Sequence, residues 1–394
     1  MAEIRALTRP PRHHFFGYYG VNPWDPSLTQ HLALETTFHE HRPTARDRAT
    51  VGLVDAATGA FRPLAETPAF NLQQGSMMHW VDAGHGAECT YNDWTGERLV
   101  SRAMNPHTGA VRTLGPAGAP GAAISTVGAA IAAVSPAEPL AIGLNFVRMS
   151  KCRAVVGYDL LPDAPLGEAH PRDDGLWCMD LATGEARLLL SVADVVAALP
   201  DPRTREGAGW FNHIYFNPSG SRFVFLCRIQ RDARWYDSLW SVGADGSDLR
   251  CLLDYRFHTS HFMWVDDERL ICSTDVLGPM QFVWLPDGPG EIVPAAADAM
   301  PSNGHACFSP DGRWLVTDAF YDRDGERIGE LMLVRLADQH KVTLGRFVHD
   351  PQFVGDIRCD LHPRWRPDGR AVTFDSVHEG SRQVYIAEVG DVVG

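Results

Sequence analysis

The chain has 394 residues, 45% of them hydrophobic and 21% charged, and a formal net charge of −14. Such a composition is globular rather than disordered, and an acidic surface of this size disfavours nucleic acid as a partner, because phosphate binding needs clustered Lys and Arg. No run approaches the ~18 consecutive apolar residues of a membrane helix, and the eight cysteines show no CxxC spacing, so neither a membrane partner nor a zinc–cysteine site is expected.

In chain order, the start MAEIRALTRPPRHHFF lacks the apolar core of a secretory leader. With scattered cysteines that read as free thiols, it gives a cytoplasmic location as the expectation. Within it, EIRALTR (3–9) reads as a strand without a local partner. From about residue 14 a β-rich unit repeats. Its first strand runs into a Pro- or Asp-rich turn: NPWDPS at 22, SPAEP at 135, NPSGS at 217, VDDER at 265, SPDGR at 309 and RPDGR at 366. Hairpins such as VDAATGAFRPL at 54 and MDLATGEARLL at 179 close the unit, with Thr-Gly or Asp-Gly supplying the positive φ of a tight turn. The units begin near 14, 70, 124, 208, 257, 301 and 356. A period of about 45 residues predicts an all-β fold, a seven-bladed β-propeller of four-stranded blades forming one domain over 1–394. The third unit carries an insertion loop at about 159–175, and one short helix is expected at 191–199. The last unit ends QVYIAEVG without a fourth strand, so residues 3–9 are expected to complete it and close the ring.

The phase of the repeat points to a site. Three residues before the aromatic or aliphatic residue that precedes each turn stand Tyr18, Met77, Ile131, His213, His261, His305 and His362. Histidine is only 17 of 394 residues, so four in seven equivalent slots exceeds what composition explains. Inner strands of a propeller line its channel, so four consecutive blades would aim imidazoles at one mouth. Imidazole is the side chain best suited to bind metal and to move protons near neutral pH. A single His at a strand start is more often packing; four in phase reverse that judgement. Asp360 stands two residues before His362 and can share its side of an extended segment. Gln73 and Gln74 open blade two and Asn303 opens blade six. Arg148 and Arg228 are expected at the ends of second strands on the same mouth, with Arg231, Arg234 and Tyr236 in the loop after Arg228. Arginines there suit a carboxylated substrate through bidentate hydrogen bonds. Tyr19, Trp24, Trp94 and Trp235 are aromatic faces on which sugar rings could stack. There is no phosphate loop, no GxSxG elbow and no HExxH.

The units FNPSGSRFVFLCR, FSPDGRWLVTDAF and HPRWRPDGRAVTFDSVHEGSRQVYIAEV resemble those of TolB-like seven-bladed propellers. With the mouth histidines, they are similar more narrowly to the oligogalacturonate lyases. That resemblance implies a divalent metal, typically manganese, held by three His and a Gln of the last two blades, with a His of a preceding blade as base and an Arg assisting. By motif, His305 and His362 match ligands and His261 the base. Asp360 stands where a further His ligand would be, and Ile357 where the Gln would be.

The combined reading is a metal-dependent lyase acting on a small acidic saccharide by β-elimination. His305, Asp360 and His362 would hold Mn2+, with Ca2+ or Zn2+ as alternatives. His261, His213, Arg228 and Tyr236 would be catalytic, and Arg148, Arg231, Arg234, Gln73 and Gln74 would bind substrate. The rivals are another metal-assisted enzyme at the same mouth (hydrolase, epimerase or cyclase) and a non-catalytic binding propeller.

Overall fold

The computed structural model describes residues 2–117, 124–231, 234–296 and 299–394. They form seven four-stranded antiparallel sheets arranged as a propeller. The inner strands of blades one to seven are His13–Phe15, His79–Val81, Ala130–Val134, Ala208–Phe216, Thr259–Trp264, Cys307–Phe308 and Arg364–Trp365. Each blade is covered by a neighbour on both faces, so its middle strands carry unbroken apolar runs rather than an alternation. In blade four, Phe223, Val224, Phe225, Leu226 and Cys227 are all fully buried.

The N-terminal strand Glu3–Ala6 pairs antiparallel with Gln383–Glu388, Glu3 opposite Glu388 and Ala6 opposite Tyr385. The backbone amides of Leu7 and Thr8 extend the pairing to the Val384 carbonyl. The ring therefore closes with its first strand outermost in its last blade, where it covers the edge of Gln383–Glu388.

A tryptophan at or near the end of three inner strands also joins blades. The Trp80 indole donates to the Pro23 carbonyl of blade one (2.9 Å), that of Trp264 to the Tyr215 carbonyl of blade four (2.8 Å), and that of Trp365 to the Cys307 carbonyl of blade six (3.1 Å). Three residues upstream of each lies the slot read from the sequence, so this staple fixes where the slot residue sits.

The expected helix is α2, Val192–Ala197, opened by a capping box between Ser191 and Asp194. The segment after the second strand of blade three differs from expectation. That strand ends at Leu144, and Asn145 caps a helix α1, Phe146–Cys152, by accepting from the Arg148 amide (2.9 Å). A 3-10 turn follows at Ala154–Val156. A Cβ on Gly157 would lie 2.1 Å from the Ser150 nitrogen, so only glycine lets the turn fold back on α1. Residues 159–175 then lead to the third strand of the blade, Gly175–Asp180. All eight cysteines are unpaired, and no helix among the described residues is long and apolar enough to cross a membrane.

Candidate active site

The slot is a deformed strand start. His213 falls within a break of register between Asn212 and Tyr215, and His261 within one between Thr259 and Phe262. Met77, His213 and His362 adopt positive φ (46°, 53° and 45°), a conformation that costs non-glycine residues about 1–3 kcal/mol. A bulge turns its side chain out of the sheet's alternation. In blades four and five it aims His213 and His261 at the channel mouth.

There the four histidines line one cavity of about 320 Å³. Ring centroids lie 4.1 Å apart for His261 and His305, 4.2 Å for His305 and His362, and 6.4 Å for His213 and His261. Tyr19 packs among them, 4.8 Å from His305, and the Tyr18 hydroxyl is 2.5 Å from Nδ1 of His213.

Two tautomers are fixed by their partners. Asp318 is buried and takes hydrogen bonds from the His305 amide (2.8 Å), from His305 Nδ1 (2.9 Å) and from the His362 amide (3.2 Å). His305 Nδ1 therefore carries a hydrogen, which leaves Nε2 as the one ring nitrogen available to a ligand. The Asn303 amide is oriented by two contacts: Gly304 N–H donates to its Oδ1 (3.0 Å), and its Nδ2 donates to Ser260 Oγ (3.1 Å). His261 Nδ1, 2.8 Å from that Oδ1, must donate to it, so His261 Nε2 is the free base.

Burial first, then neighbouring histidines and arginines, hold His213, His261 and His362 well below the ordinary histidine value. These imidazoles are neutral near pH 7, as ligands and bases must be. Burial alone would raise the Asp360 carboxyl, but Arg358, whose Nε donates to it at 2.8 Å, brings it below the usual carboxylate range.

The donor set fits a divalent cation. One donor atom from each of His305, Asp360 and His362 lies within 4.8 Å of the other two. Ligands at about 2.0–2.2 Å from one ion stand at most about 4.4 Å apart, so a small contraction completes the set. The His362 side chain, only 5% exposed, has no hydrogen bond to any described residue. Asp318 behind His305 is the outer carboxylate that metal-binding imidazoles usually have.

Guanidinium groups form the other side. Arg228 lines the cavity; its Nε donates to Asp237 (2.5 Å), which also lies 2.9 Å from His258, while its buried Nη1 has no partner. Arg153 and Arg358 line the cavity with it. Gln73 and Gln74 are there too, held by hydrogen bonds from their amides to Asn71 (2.9 and 2.7 Å), and Gln73 Oε1 is buried without a partner.

The structure does not bring the remaining expected residues to the cavity. Arg148 sits on α1, 2% exposed, and donates to the carbonyls of Gly209, Ala169 and Leu166. It ties the blade-three insertion to blade four, and its placement at the mouth is corrected: the chain turns into a helix where a strand end was expected. Arg231, Arg234 and Tyr236 are corrected likewise. The strands Arg222–Arg231 and Arg234–Gly243 each run ten residues, so their hairpin projects beyond the mouth. Arg231 and Tyr236 line a separate surface depression, where Arg231 meets Glu206 at 3.0 Å, and Arg234 is exposed.

The sequence reading missed Asp318, Arg153 and Arg358. Asp318 had a signal, since it follows its slot histidine by thirteen residues, and Asp375 follows His362 by the same offset (375 − 362). The two arginines had none, because irregular segments between strands deliver them.

No protein-family model matches the sequence, and no curated protein does. Solved structures do. An oligogalacturonate lyase from Vibrio parahaemolyticus superposes with a TM-score of 0.66 at 16% identity, over 98% of this chain and 94% of that one. An oligogalacturonate lyase in complex with manganese gives 0.67 at 16%, over 98% and 93%. A puromycin-hydrolysing peptidase from Mycobacterium tuberculosis gives 0.53 at 14%, over 94% of this chain and 53% of that one. What the chain has in common with the oligogalacturonate lyases, over nearly the full length of both, is the architecture of a seven-bladed propeller.

Proposed function

We propose that this propeller is a metal-dependent lyase that cleaves a uronic-acid-containing oligosaccharide by β-elimination. One observation carries the reading: imidazoles of four successive blades, three of them held neutral, meet an ionised carboxylate and three guanidiniums in one cavity. The two imidazoles and one carboxylate of His305, His362 and Asp360 suit manganese. When bound, the cation supplies Lewis acidity toward the substrate carboxylate. Arg228, with its unspent Nη1 and its Nε anchored by Asp237, holds that carboxylate and stabilises the negative charge that grows on it. The proton α to the carboxylate moves to Nε2 of His261, whose other nitrogen is anchored by Asn303. Its electron pair becomes a carbon–carbon double bond, the bond to the 4-linked sugar oxygen breaks, and that oxygen takes a proton from water. His213, tied to Tyr18, orients the sugar ring.

The direct test incubates manganese-loaded protein with galacturonate, glucuronate and mannuronate oligomers. The expected result is a rise in ultraviolet absorbance from a conjugated unsaturated uronate. Bound metal without such a product on any uronate oligomer would move the assignment to another metal-assisted reaction, and absence of both would leave a binding propeller.

A further inference from the structure

Arg153 comes from outside the repeat. It lies between α1 and the 3-10 turn Ala154–Val156, a segment that reaches across the mouth: the turn packs against a second one, Gly355–Ile357, of blade seven. Arg42 of blade one pairs with Asp159 of the insertion (3.3 Å) and with Asp356 (3.2 Å), tying the same crossing. Through it Arg153 enters the cavity beside Arg228 and Arg358.

The three cations differ in what neutralises them. Arg228 has Asp237 and Arg358 has Asp360. Arg153 makes no ion pair with any described carboxylate; its guanidinium carbon lies over the Trp235 ring, 4.9 Å from the centroid. An aromatic face holds a guanidinium in place without cancelling its charge. Burial, then Arg228 and Arg358, push Arg153 down to about 9, so it remains charged at neutral pH while paying for its crowding. A desolvated cation beside like charges is costly unless an anion joins it. One uronate carboxylate occupies Arg228 and the metal-ligand side, and leaves this charge unmatched.

We propose that Arg153 is a specificity-determining, substrate-binding residue that takes a second anionic group on the sugar adjoining the uronate under attack, so that the cavity selects a dianionic saccharide. The proposal rests on the lyase reading for the position of the first carboxylate, but its test measures binding alone. The shared chemistry is a second anion on the neighbouring ring, and a carboxylate or a sulfate could provide it.

The experiment is calorimetric titration of the manganese-loaded His261→Ala protein, in which turnover is blocked. The probes are digalacturonate, a sulfated uronate disaccharide, and an aldobiouronate of the same size with one neutral ring. Digalacturonate or the sulfated probe should bind more tightly than the aldobiouronate, and which of them leads identifies the second anion. Arg153→Gln should weaken the dianionic probe about 10- to 100-fold and the aldobiouronate little, as for loss of one charged hydrogen bond. Arg153→Lys should restore part of the difference, and manganese content should stay constant throughout. Equal binding of the mono- and dianionic probes by the parent, or an equal loss on both in Arg153→Gln, overturns the proposal, as does failure to bind any probe. Selective binding with no unsaturated product from the wild-type protein would instead retire the lyase reading and leave the dianion site standing.

Discussion

The mouth histidines differ in what stands behind them, and that difference divides their roles. His305 leans on the Asp318 carboxylate, which raises ligand basicity, whereas His261 leans on a neutral amide that only orients it. His305→Ala or His362→Ala should therefore lose both manganese and activity. His261→Ala should keep the metal and lose turnover by about 10²- to 10⁴-fold, the usual contribution of a positioned base. Elemental analysis of untagged protein beside a turnover assay separates the cases, and loss of metal in His261→Ala would show that the roles are misassigned. These histidines were legible in the sequence because they recur at one phase of a repeat. Asp318 was legible only through its fixed offset from His305, and Arg153 and Arg358 not at all. Phase finds what strands deliver; it is blind to side chains that arrive through irregular crossings, and it misled for Arg148, where Asn145 starts a helix in place of a strand end.

Strand pairing turns a repeat of sequence into a ring with a single mouth. The indole staples of Trp80, Trp264 and Trp365 set three blades on their predecessors, and the bulges at His213 and His261 turn those slots out of the sheet. Both the count of blades and the closing strand could be read from turn spacing and from the missing fourth strand of the last unit. The bulges could not, because an extra residue in a strand leaves no mark on its hydrophobic pattern. Closure joins the termini to the site: blade seven holds Asp360 and His362 at its inner end and Glu3–Ala6 at its outer edge. Deleting residues 2–8 removes that pairing and the fully buried Leu7. The loss is on the order of 5 kcal/mol from the ladder bonds and the leucine together. The truncated protein should melt at lower temperature, lose manganese during the early part of the transition, and associate through the bared edge of Gln383–Glu388. Calorimetry with metal analysis and light scattering would check this, and an unchanged melting temperature would show that the strand is dispensable.

Across the whole molecule, a formal charge of −14 surrounds a cavity walled by arginines and neutral histidines. Buried neutral histidines also make the fold sensitive to acid. Besides His213, His261 and His362, others lie outside the cavity, among them His31, held well below the ordinary value by burial and then by Arg364, and His79, held by burial at about 4. Below pH ~6.5 the unfolded chain protonates these groups and the folded chain does not, so stability is full above that pH and falls as pH drops toward 4. Each such histidine contributes a slope of about 1.4 kcal/mol per pH unit in that window. Asp174 works the other way, since burial raises it to about 7 and acid therefore favours its folded form. His258, raised by its hydrogen bond to Asp237, opposes likewise, but these two groups do not offset the lowered histidines, so the net slope follows the histidines. Manganese-free protein, in which protons do not compete with metal, should have a level melting temperature between pH 7 and 8 and a falling one from pH 6.5 to 5. His79 Nε2 is buried without a partner, so His79→Leu should remove its share of the slope, about 1.4 kcal/mol per pH unit, with little change at pH 8. A melting temperature independent of pH between 7 and 5, or a His79→Leu variant with the parent's slope, would show that these histidines take up protons in the folded state.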